Sequence, residues 1–198
     1  IRDVAPSRGL GDVYKRQRGD AAIILHVVLT QSFRIEEPPV PVTLVNAAGV
    51  NINDYLLALR QVPEPVLAAF NAAGWTYRID FDYMGGLSKK LNMSCIGATN
   101  YSQKTIYLSE ASATLHEFGH FLDWMLGFPA EYEQLFRAEA SAAPLRNYAK
   151  TDSREYFADC FAYWVKYAEN ANAISLLQEC APMTYRYMED LMRIANRL

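Results

Sequence analysis

Residues 116–120 read His-Glu-Phe-Gly-His. On a helix, a spacing of four puts His116 and His120 on one face a turn apart, so both imidazoles can reach a single ion. Glu117 lies between them, where its carboxylate can sit beside a metal-activated water without itself ligating, which is the position of a general base. Two of the three histidines of the chain are in this pentapeptide. The competing reading, two histidines that merely pack, loses weight because the motif sits in a stretch with helical punctuation. The ion implied is zinc, one per chain.

A catalytic zinc takes three protein ligands and keeps a fourth position open, so a third ligand must come from elsewhere. The remaining histidine, His26, lies far upstream in an apolar run and reads better as a structural residue. Downstream, residues 148–161 read YAKTDSREYFADCF, with Glu155 and Asp159 four apart and so on one helical face. Glu155 is the candidate third ligand. Asp159, one turn on, is placed to accept the outer N–H of a ligand histidine, expected to be His116, and to fix its tautomer. A second reading has Glu155 completing a capping box with Asp152. It leaves two acids on an aromatic-rich helix without a partner, and burying them so would be costly. The aromatic stripe Tyr156, Phe157, Phe161, Tyr163 and Trp164 reads as core.

HEFGH followed by YAKTDSREYFADCF, with Tyr148 seven residues before Glu155, resembles the catalytic-domain family of anthrax lethal factor, which includes small secreted Pro-Pro endopeptidases. The resemblance runs from about Val62 to the C-terminus and includes the order of features upstream, PEPVLAAFNAAGW and then IGATNYSQKTIYLSE directly before the motif. It implies a zincin-like metallopeptidase of the gluzincin type. It also implies metal ligation by His116, His120 and Glu155, Glu117 as base and Tyr148 as a transition-state hydrogen-bond donor. Protein or peptide substrates and a secreted or cell-surface location follow from the same likeness, as does a preference for proline as one option. Among thirteen tyrosines, only its spacing singles out Tyr148.

The elements that must position these groups are those of an α+β domain, with a small mixed sheet in the N-terminal half and helices in the C-terminal half. Short helices are expected from Asn53 and again over PEPVLAAFNAAG, a strand over 75–81, a turn at Gly85 and Gly86, and a hairpin of strands 96–101 and 104–109. Helices follow at 112–126, 130–140, 152–167 and 182–196. The second hairpin strand, Lys104, Thr105, Ile106, Tyr107 and Leu108, runs straight towards the motif and is the candidate for pairing with an extended substrate.

The rest of the composition sets limits. With 198 residues, 51% of them apolar and 21% charged, the chain suits one globular domain. A net charge of −3 supplies no field for nucleic acid. Three cysteines without a CxxC spacing indicate neither a disulfide framework nor a thiolate cage. The longest apolar run, residues 21–30, is too short to cross a bilayer and reads as a buried strand before the proline-rich connector 36–42. Gly9–Gln17 (GLGDVYKRQ) resembles an adapter-derived artefact, so residues 1–17 are set apart. Residues 18–198 are expected to form a single metallopeptidase domain, of which 18–43 are the lead-in. A monomer is favoured. Two alternatives to an endopeptidase remain: amide hydrolysis on a small substrate, and a catalytically silent zinc-binding module.

Overall fold

The computed structural model of the protein describes residues 41–195. The lead-in strand with His26 and the segment 1–17 lie outside the described residues. Of the connector only Pro41 and Val42 are described, in neither helix nor strand.

Punctuation in the sequence explains the first elements. After strand β1 (Leu44–Asn46) come helices α1 (Asn53–Leu59) and α2 (Glu64–Ala72). Proline in the first turn of α2 costs nothing there, because those N–H groups have no intrahelical partner. Gly74, at φ 72°, ends it. Gly74 N–H donates to Asn71 O and Trp75 N–H to Phe70 O, the paired bonds of a Schellman stop, and the Trp75 and Phe70 rings meet at 5.9 Å. Strand β2 (Thr76–Ile79) follows at once.

The turn expected at Gly85-Gly86 is instead the middle of helix α3 (Phe81–Leu91). Asp80 caps it by accepting from Tyr83 N–H at 2.9 Å, Asp82 and Lys89–Lys90 match the helix dipole, and Asn92 closes it at φ 52°. Two interior glycines cost about 1 kcal/mol each relative to alanine. Caps at both ends and burial of Met84 offset this.

Strands β3 (Gly97–Asn100) and β4 (Thr105–Leu108) form the expected antiparallel hairpin. The sheet order is β1-β2-β4-β3, with β1–β2 and β2–β4 parallel. All four residues of β4 are buried, as the centre of a sheet requires. Tyr77, Ile79, Ile106 and Leu108 pack with Phe70, Phe118 and Phe121 in one core. A 3-10 turn, Ala111–Ala113, leads from β4 into helix α4 (Thr114–Met125), which carries the HEFGH motif.

Helices α5 (Ala130–Glu139), α6 (Ser153–Tyr167), α7 (Ala171–Cys180) and α8 (Pro182–Ala195) make the C-terminal half around a second core of Tyr132, Tyr156, Phe157, Cys160, Leu177 and Met188. Glu139, buried at the end of α5, accepts from the N–H groups of Met183 and Thr184 and so caps α8 from another helix. The chain is thus an α+β fold with a small mixed sheet and eight helices among the described residues. No helix there is long and apolar enough to cross a membrane.

Candidate metal centre

Helix α4 presents His116 and His120 one turn apart, and α6 brings Glu155 to meet them. His116 Nε2 lies 3.1 Å from His120 Nε2 and 3.0 Å from Glu155 Oε2, and His120 Nε2 lies 3.4 Å from the same oxygen. The three side chains are only 11, 10 and 17% exposed. Glu155 Oε2 is buried without a hydrogen bond, an atom left with its lone pairs facing two ring nitrogens. Donor atoms bonded tetrahedrally to zinc at about 2.0–2.2 Å stand roughly 3.3 Å from one another. The three separations bracket that value, and two imidazoles with one carboxylate are a zinc donor set. The residues fit the ion.

The close approach of the two helices depends on a glycine. A β-carbon on Gly119 would lie 2.6 Å from Ala158 Cα and 2.8 Å from its carbonyl oxygen. Only glycine inside HEFGH lets α6 come near enough for Glu155 to reach the histidines.

Asp152 caps α6, accepting from Arg154 N–H at 2.9 Å and Glu155 N–H at 3.0 Å. The capping reading therefore holds for Asp152, while the Glu155 side chain is turned to the histidines. Asp159 Oδ1 lies 2.7 Å from His116 Nδ1, as the spacing suggested. A residue that the sequence reading missed completes this pair. Arg146 donates to both Asp159 oxygens, at 2.6 and 2.7 Å, and its guanidinium lies 5.5 Å from the Tyr148 ring centroid. No local pattern marks Arg146, because its partner is in another element.

These contacts set the charges. Burial lowers the His116 pKa, but the Asp159 and Glu155 carboxylates outweigh it and raise the value to about 9. Burial would raise Glu155 and Asp159, yet His116 and His120 hold Glu155, and His116 and Arg146 hold Asp159, below the usual carboxylate range. Glu117 goes the other way. Its carboxylate is buried, which raises its pKa against the pull of both histidines. Thr99 Oγ1 donates to Glu117 Oε2 at 2.8 Å. A β-carbon on Gly97 would fall 2.5 Å from Glu117 Oε1, so the start of β3 must be glycine for the carboxylate to occupy this place.

Tyr148 sits in a 3-10 turn, Asn147–Lys150, with its ring 6.3 Å from that of His116. It is 42% exposed, open to the cleft. Burial and the nearby Glu155 carboxylate raise its pKa to about 12, so it holds its proton at neutral pH.

The cleft over the site measures about 1040 Å³. It is walled on one side by Gly97, Ala98 and Thr99 of β3, and continues past Leu91 and Met93. The expectation that residues 104–108 pair with substrate is corrected here. Thr105, Ile106, Tyr107 and Leu108 hydrogen-bond on both sides, to β2 and to β3, so no backbone group is left for a further strand. Lys104 precedes the strand at φ 48° and donates from Nζ to Ala73 O. The open edge among the described residues on this side is β3.

Comparison with known proteins agrees with this architecture. A family model described as anthrax toxin lethal factor, N- and C-terminal domain, matches residues 78–191. No curated protein matches the chain. Among solved structures, the Pro-Pro endopeptidase PPEP-2 from Paenibacillus alvei has a similar fold, with a TM-score of 0.57 at 19% identity, over 75% of this chain and 96% of that one.

Proposed function

Because the chain belongs to the anthrax toxin lethal factor family, we propose that it is a zinc-dependent endopeptidase, with residues 18–198 as one peptidase domain acting outside the cell. The observation that carries this reading is the meeting of His116, His120 and Glu155 within 4.8 Å of one another, beside a buried fourth group, Glu117, that makes no bond to them.

His116, His120 and Glu155 would hold the zinc ion, which would supply Lewis-acid polarisation of the scissile carbonyl and acidification of water. The remaining work belongs to the chain. Glu117 takes the proton of the attacking water and returns it to the leaving amine, and its raised pKa brings it nearer the balance such a relay needs. Thr99 holds that carboxylate in place. Tyr148, protonated at neutral pH, donates to the developing oxyanion, a contribution of order 10²- to 10³-fold if it matches other single donors. Asp159, itself held by Arg146, fixes the His116 ring so that Nε2 carries the lone pair.

An extended peptide adds to the free edge of β3, where backbone pairing supplies affinity and side-chain pockets supply selectivity. The size of the cleft, about 1040 Å³ with Leu91 and Met93 as well as the candidate ligands in its lining, favours a peptide over a small amide. The relative of similar fold is a Pro-Pro endopeptidase, and proline beside the cleaved bond is the specific form of this reading.

Zinc content and cleavage of a peptide library, for the wild type beside Glu117→Ala and His116→Ala, test it. Glu117→Ala should keep about one zinc and lose turnover, and His116→Ala should lose both. Turnover surviving in Glu117→Ala removes the proposed base, and a wild type that binds no zinc removes the whole reading.

A further inference from the structure

His120 Nδ1 is buried and has no hydrogen-bond partner among the described residues. Its neighbour is better served, since His116 Nδ1 has Asp159 at 2.7 Å. A histidine that gives its Nε2 lone pair to a metal carries its proton on Nδ1. Left without an acceptor, such a buried N–H costs about 1–3 kcal/mol.

Asp123 is three residues further along α4, on the same side of the helix. It is 3% exposed, and its carboxylate takes part in none of the hydrogen bonds or ion pairs of the described residues. Burial raises the pKa of this carboxylate, while the charges of His120 and then Arg154 act to lower it and Asp152 opposes them. The Arg154 guanidinium is engaged over the Phe128 ring, 4.2 Å from its centroid. Asp123 also borders a cavity of about 170 Å³ with Phe128, Tyr132 and Arg154. Burying an unpaired carboxylate costs several kcal/mol.

Resting on the zinc reading above, we infer that Asp123 is the positioning residue for His120, its carboxylate accepting a hydrogen bond from Nδ1–H when the metal is held. Each ligand histidine then has its own carboxylate. Asp159 reaches His116 from α6, and Asp123 serves His120 from within α4.

The test is the zinc dissociation constant of the full chain, by competition with a chromophoric chelator, alongside the melting temperature of the chelator-treated protein. Wild type, Asp123→Asn, Asp123→Ala and, as the reference for a known contact, Asp159→Asn are compared. Asp123→Ala should bind zinc about 10- to 100-fold more weakly, the range expected for a lost orienting partner. Asp123→Asn should lose less, because its amide oxygen still accepts. The metal-free melting temperature of both should be unchanged or higher. An affinity for Asp123→Ala within about two-fold of wild type, while Asp159→Asn is weakened, overturns the inference and leaves the zinc site standing. A loss of affinity matched by a loss of metal-free stability also overturns it. A wild type that takes no zinc removes the metal reading itself, and this inference with it.

Discussion

Gly119 of α4 and Ala158 of α6 touch backbone to backbone, with no room for even a methyl group on the glycine side. The contact lies between the two pairs that matter, His116 with Asp159 and His120 with Glu155. Gly119→Ala would place its β-carbon against main-chain atoms that cannot swing aside. Overpacking of this kind costs about 1–3 kcal/mol, and the strain would separate the helices where they hold the site. A lower melting temperature and weaker zinc binding should appear together. A variant as stable as wild type with unchanged affinity would show that α6 can shift freely.

Arg146 is half exposed, so its charge alone is screened by solvent, and its effect should come from geometry. Its two bonds to Asp159 hold the carboxylate that orients His116. Arg146→Ala should weaken zinc binding by roughly ten-fold, the lower end for a lost outer contact. Arg146→Lys should recover little, because an ammonium cannot make the paired bonds. Chelator competition on both variants checks this, and full rescue by lysine would mean that charge alone suffices.

The convergence of the candidate ligands was more legible than the scaffold. HEFGH and the segment around Glu155 have fixed helical spacings, and helical spacing converts directly into a shared face. The aromatic stripe read as core is core at Tyr156, Phe157 and Phe161, all fully buried. The rest was hidden in part by contacts that no local pattern encodes and in part by local signals that conflict. Strand β1 is three residues long and too short to show alternation. Gly85-Gly86 masked α3, although Asp80 and Lys89–Lys90 were readable as its end signals. Helix α7 has a weak periodic pattern, and its sequence signal is Asn170, which caps it by accepting from Ala173 N–H. The place of β4 between β2 and β3 is a matter of sheet order, which its own residues do not encode. Gly119 stood in the motif, but its reason is Ala158, on a helix far along the chain.

Without metal, the histidine site should make stability fall as pH rises through the neutral range. His116 has a folded pKa of about 9 against an ordinary value of 6.5. Below pH 6.5 both folded and unfolded chains hold the proton, and the folded chain keeps the full benefit of its carboxylate partners. Between 6.5 and 9 the unfolded chain sheds the proton first, so the folded state binds more protons and loses stability with rising pH. The span corresponds to a loss on the order of 3 kcal/mol. Denaturant unfolding of chelator-treated protein at pH 6, 7.5 and 9 measures it. Zinc at saturation should flatten the slope, because the metal displaces that proton, and a chelated protein with a flat profile would contradict the pairing.

Thr99 offers the cleanest separation of base from metal, since it touches Glu117 and none of the three ligand atoms. Its hydroxyl donates to Oε2, and this bond favours the charged carboxylate against a burial that disfavours it. Thr99→Val keeps the β-branched shape suited to β3 and removes only the donor. The Glu117 pKa should then rise further, and the acidic limb of the pH–rate profile should move to higher pH. At neutral pH, kcat/KM should fall about ten-fold, roughly the 1.5 kcal/mol at the lower end for one hydrogen bond to a charged group. Zinc content should stay at the wild-type level. Equal losses of zinc and rate would instead place Thr99 among the supports of the metal, and an unmoved acidic limb would detach Glu117 from the proton transfer.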